Sequence, residues 1–116
     1  MIKDHVEHYH ELRKVMGTLI NKMPNTMKGF SALNSGVMEE GTLDRKTKEL
    51  IALGIAICAK CDGCIAYHVN DAMKAGASRG EIEETIGVSI LMGGGPAVVY
   101  GCEAMEALEQ FEKELV

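Results

Sequence analysis

A chain of 116 residues, 47% hydrophobic and 25% charged, is long enough for one modest core, and residues 1–116 are expected to form a single domain. Its formal net charge is −5 and no lysine–arginine cluster is long enough to track phosphates, which excludes the basic stripe that a nucleic-acid partner needs. The longest apolar run reaches about half the length that crosses a bilayer, so no membrane partner is expected.

The opening residues MIKDHVEHYHE are too charged for a secretory h-region, and a cytoplasmic location is expected. Eight methionines and no tryptophan point to flexible packing between helices. Ile2, Val6, Tyr9, Leu12, Met16, Leu19 and Met23 recur at steps of three or four, which predicts an amphipathic first helix over 3–22. His5, His8 and His10 fall on or beside its polar face and are read as solvated surface residues. Pro24 interrupts the pattern. A second helix is predicted from about Thr26 to Met38, burying Met27, Phe30, Leu33 and Val37.

Asp44 is placed to cap a third helix by accepting an orphan backbone N–H. After Glu49 that helix is apolar on every face and is expected to be buried and central, with Gly54 marking a close neighbour. A fourth helix should start near Asp62 or Gly63 and run to Ala75, with Gly76 in a left-handed cap. Ser78 and Glu81 form a capping box for a fifth helix, along which Ile82, Ile86, Ile90 and Leu91 keep helical spacing. Gly93-Gly94-Gly95 stops it, and Pro96 suits the first turn of a sixth. In that last helix Ala97, Gly101, Ala104, Leu108, Phe111 and Leu115 form a heptad-like seam, equally suited to an internal core or a second subunit. No segment alternates like a strand. The expected fold class is all-α, a compact bundle of about six helices.

The chemistry gathers in residues 49–68, ELIALGIAICAKCDGCIAYH. Cys64 and His68 are four residues apart, on one helix face, where the imidazole can accept the thiol proton. Cys64 would lie in a first helical turn, where the dipole favours a thiolate, although Asp62 opposes it. Cys61 completes a C-x-x-C pair and could trap an oxidised Cys64 as a disulfide. Either Asp71 or Glu49 could orient His68, and a salt bridge from Glu49 to Lys46 or Lys48 is an equal alternative. The run C-x2-C-x2-C-x3-H, from Cys58 to His68, also offers ligands for zinc or an iron–sulfur cluster. It sits at the end of a strongly helical segment, however, where a cluster needs irregular backbone. Cys58 and Cys102 are more simply read as buried, inert thiols. Tyr67, Asn70 and Tyr100 are read as helix-surface or interface residues.

An acid twelve positions before a C-x-x-C pair, with a histidine four after its second cysteine, resembles the alkylhydroperoxidase D-like branch of the carboxymuconolactone decarboxylase family. Glu49, Cys61, Cys64 and His68 match that pattern position for position. The segment Ala75-Gly76-Ala77-Ser78 with Glu81-Ile82 and the turn Gly93-Gly94-Gly95-Pro96 extend the likeness over roughly residues 25 to 100. The resemblance implies a small all-helical domain that assembles into a homo-oligomer, a trimer or hexamer, and needs no cofactor and no metal. It further implies that Glu49 polarises His68, His68 activates Cys64, and Cys64 attacks a small hydroperoxide or disulfide substrate. Cys61 would resolve the product as a disulfide, which an external dithiol reduces. Gly63 stands where some peroxidatic members carry a histidine, which weighs against efficient peroxide reduction and leaves disulfide reduction more open. A carboxymuconolactone-type decarboxylase and a metal or iron–sulfur protein are the alternatives.

Overall fold

The computed structural model describes residues 1–115, with the side chain at 115, the last position of the expected seam, outside the described set. Six helices follow one another: α1 His5–Lys22, α2 Pro24–Met38, α3 Arg45–Cys58, α4 Asp62–Lys74, α5 Arg79–Gly93 and α6 Gly95–Leu115. Among the described residues there is no strand, and the fold is all-α. None of these helices is long and apolar enough to cross a membrane.

Local chemistry sets the helix ends. Asp4 accepts from Glu7 N at 2.9 Å to start α1, and Asp44 accepts from Thr47 N at 2.8 Å to start α3. The capping box forms: Ser78 Oγ accepts from Glu81 N at 3.1 Å, and Glu81 Oε1 accepts from Ser78 N at 2.8 Å. Gly76 has φ +97 and Gly94 has φ +69, left-handed conformations that a residue without Cβ adopts freely. The second helix starts earlier than its sequence pattern suggests, at Pro24, because a first-turn position needs no N–H donor.

The core is built from Leu53 and Ile57 of α3, Ile65 and Val69 of α4, Ile82 of α5, and Leu108 and Phe111 of α6, all fully buried. Tyr9 of α1 joins it edge-on to Phe111 and Tyr67, with ring centroids 5.6 Å and 4.8 Å apart. The seam of α6 faces inward. Ala97, Gly101, Ala104, Leu108 and Phe111 are buried within this chain, and a Cβ on Gly101 would stand 3.0 Å from Ile86 Cγ2.

Several burial expectations are corrected. Phe30, Leu33 and Val37 of α2 are exposed, because α2 packs mainly along α1 and meets the core only near Met38. Ile51 and Ile55 make α3 half-open rather than enclosed, since α4, α5 and α6 cover only part of its circumference. Leu91 points outward from α5 and Leu19 from α1, and Met23, at the C-cap of α1, is also exposed. His5 is not a surface residue: it is 1% exposed, with Nε2 3.0 Å from Glu106 Oε1. Burial pushes its pKa below the usual imidazole range, and the Glu106 bond opposes that shift.

Phe111 fills the space where α1 meets α6, so Phe111→Ala should lower unfolding free energy by about 3–5 kcal/mol. Urea unfolding measures this, and the loss should appear as a lower midpoint with an unchanged slope.

Candidate active site

The site lies where α3 hands over to α4. Ala59 N closes α3 onto Ile55 O at 2.7 Å, Lys60 takes φ +59, and Cys61 N donates to Ala56 O at 3.1 Å. This tight reversal makes Cys61 the N-cap of α4, with Cys64 in its first turn. The two cysteines are joined as a disulfide, with Cα atoms 5.2 Å apart, and both are partly buried. Unpaired backbone N–H groups at this helix start favour negative charge on Cys64 when the bond is reduced. Asp62 opposes this, but Lys3 Nζ approaches its carboxylate to 3.6 Å and offsets part of the effect.

His68 follows Cys64 by one turn, and its Nδ1 lies 3.0 Å from Glu49 Oε2. Glu49 is only 2% exposed, and a polar group so buried needs a hydrogen-bond partner, which His68 provides. A carboxylate in its ionised form can only accept, so Nδ1–H would donate to it, and in a neutral imidazole Nε2 then carries the lone pair. The alternative lysine partners are engaged elsewhere. Lys46 Nζ pairs with Glu81 at 2.9 Å, and Lys48 Nζ donates to Val37 O at 2.8 Å and Glu39 O at 2.6 Å. Asp71, the other candidate acid, makes no hydrogen bond to His68 but stays close. Glu49, His68 and Asp71 each place one donor atom within 4.8 Å of the others. Burial, and then the charge of Glu49, push the Asp71 carboxyl above its ordinary value.

Cysteine ligands for a metal are not brought together. Cys61 and Cys64 are bonded to each other, while Cys58 Sγ turns toward α5 and donates to Ser89 O at 3.4 Å. Cys58 and Cys102 are both exposed, against the expectation of buried thiols. Cys58 ends α3 on its uncovered side, beside a groove of about 670 Å³ lined by Ile51, Ile55, Val88 and Met92. That apolar groove contains neither half of the disulfide nor His68. Asn70, expected near the surface, is buried, and its amide nitrogen has no protein partner.

One contact escaped the sequence reading. A Cβ on Gly63 would lie 2.6 Å from Leu12 Cδ2, so α1 rests directly over the first turn of α4. Tyr67 O–H donates to Met16 Sδ at 3.0 Å and extends the same cover. Leu12 looked like an ordinary core position of an amphipathic helix. The available signal was the glycine opposite it.

Residues 24–107 match the carboxymuconolactone decarboxylase family. An uncharacterised protein of Haemophilus influenzae is 36% identical over 107 residues, covering 92% of this chain and 95% of that protein. An uncharacterised protein of Cupriavidus necator is 32% identical over 95 residues, covering 82% and 84%. Among solved structures, a carboxymuconolactone decarboxylase family protein of Legionella pneumophila superposes with a TM-score of 0.89 at 39% identity, covering 92% of this chain and 96% of that one. One from Thermotoga maritima, with a suggested involvement in antioxidative response, gives 0.82 at 31% identity, covering 91% of each chain.

Because Leu12 occupies the space above Gly63, Gly63→His should destabilise the chain by about 1–3 kcal/mol through overpacking. Leu12→Ala in the same chain should recover part of that loss. A double-mutant cycle on thermal unfolding measures the coupling, and strict additivity would contradict the contact.

Proposed function

The chain belongs to the carboxymuconolactone decarboxylase family, and from that premise we propose that it is a thiol-dependent oxidoreductase of the alkylhydroperoxidase D-like branch, reducing small hydroperoxides or disulfides. The observation that carries this reading is the Cys61–Cys64 disulfide at the start of α4, one turn ahead of a histidine bonded to a buried glutamate. The suggested antioxidative role of the Thermotoga relative points the same way.

In the reduced protein, His68 Nε2 takes the Cys64 proton and Glu49 stabilises the resulting imidazolium. The thiolate attacks the terminal peroxide oxygen, the O–O bond breaks, and Cys64 becomes a sulfenic acid. The departing alkoxide takes the proton from His68 and leaves as an alcohol. Cys61 sulfur then displaces hydroxide from the sulfenic acid, releasing water and forming the Cys61–Cys64 disulfide. An external dithiol returns two electrons and two protons through a mixed disulfide. With a disulfide substrate the first attack is on sulfur, and no sulfenic acid forms. Decarboxylation of a lactone acid would have no use for the cysteine pair.

Exposed apolar side chains on α2, and along the groove between α3 and α5, support assembly of the chain with copies of itself, in the trimer or hexamer that the resemblance implies. A reducing cytoplasm would supply the dithiol.

Cys64→Ser is expected to abolish hydroperoxide turnover with a dithiol reductant, and undiminished turnover would sink the nucleophile assignment. Glu49→Gln should slow it on the order of 10²-fold, the usual scale for an acid–base group. Thiol alkylation before and after one equivalent of hydroperoxide gives a direct reading by mass spectrometry. Cys61 and Cys64 should become protected together, while Cys58 and Cys102 stay modifiable.

A further inference from the structure

His68 faces two carboxylates, not one. Glu49 reaches it from α3 through the 3.0 Å bond to Nδ1, and Asp71 shares its helix, with all three donor atoms within 4.8 Å of one another. The charged groups bearing on Asp71 are Glu49 and Arg45 from α3, and His68 and Lys74 from α4 itself. Tyr67 also senses Asp71, and from α1 Arg13 bears on that tyrosine. The acid of α6 that faces α4, Glu103, is directed at Asp62 at the opposite end of the helix. No ion pair to Asp71 forms among the described residues, so a partly buried carboxylate stands beside the relay without a bonded cation.

We propose that Asp71 is a positioning residue for the thiol chemistry proposed above: its charge favours the imidazolium form of His68 and thereby supports the Cys64 thiolate. Distance decides the direction. Asp71 lies close to the imidazole but two helical turns beyond Cys64, about 10 Å along the axis, so attraction to the imidazolium outweighs repulsion of the thiolate. Its amide isostere keeps the shape and removes the field.

The same placement, with all three donor atoms within 4.8 Å, implies a cost in stability. Burial and Glu49 hold the Asp71 carboxyl above its ordinary value. A carboxyl whose folded-state value exceeds its unfolded one contributes stability at low pH and loses it as pH rises through the folded value. Wherever Asp71 is ionised it therefore costs the fold stability while it supports the relay. Asp71→Asn should relieve the first and weaken the second.

The test uses the full-length reduced protein and no peroxide. The alkylation rate at Cys64 with iodoacetamide is followed by mass spectrometry from about pH 5 to 9, a window spanning the ordinary imidazole and thiol ranges. Asp71→Asn should move the profile to higher pH by about half a unit to one unit, and Asp71→Glu should restore it. In a His68→Gln background the Asp71→Asn shift should vanish, since the effect acts through the imidazole. Thermal unfolding near pH 7 should show Asp71→Asn at least as stable as the parent. A superimposable profile, a shift that survives without His68, or lower stability with an unchanged profile would each overturn the proposal. Because no turnover is measured, a failure here is separate from a failure of the Cys64→Ser test of function.

Discussion

A carboxylate that is 2% exposed governs this structure. Glu49 stays ionised inside a helical bundle only if something donates to it, and the donor is His68, from the next helix. That bond fixes the phase of α4 against α3. The reversal before α4 puts Cys61 at its cap and Cys64 in its first turn, one turn ahead of that histidine. The tight connection through Lys60, with its left-handed φ, allows the chain to reverse quickly enough for the two side chains to meet. Removing His68 leaves an unmatched carboxylate in the interior, whereas removing Glu49 leaves an imidazole that is 24% accessible.

Around that bond, cover is uneven. Leu12, Met16 and Tyr9 bring α1 over one side of α4, while His68 keeps about a quarter of its side chain accessible. Cys58 shows that exposure by itself does not define the site. It is more open than Cys64, yet its thiol faces a backbone carbonyl rather than a base. Reactivity is expected where a base, a helix start and a second sulfur converge. Those three features meet at Cys64 alone among the cysteines.

The helices and their caps were legible because their causes are local. Asp44, Ser78 with Glu81, Gly76 and Pro96 act within a few residues of themselves, and each lies where its chemistry required. The pairing of Cys61 with Cys64 was equally local. Burial was harder, because it depends on which elements come together. Phe30, Leu33 and Val37 have a good core pattern, but too little of the chain folds over α2 to use it. His5 looked solvated until α6 supplied Glu106 and Gln110 beside it. The partner of Glu49 could not be chosen from spacing alone, since Lys46, Lys48 and His68 were all plausible, and Asp71 competed with Glu49 for His68. The structure separates them by sending the lysines to Glu81 and to the carbonyls of Val37 and Glu39.

The disulfide joins residues separated by three positions, inside the opening turn of one helix. So short a loop restricts the unfolded chain far less than a long-range cross-link would. Opening it frees no distant segment and uncouples no pair of helices. The cross-link therefore constrains the opening turn of α4 and not the packing of one helix on another. On the chain-entropy scale a loop this short is worth about 2 kcal/mol, against about 5 for a loop of 100 residues, so the bond ties down one turn rather than the fold.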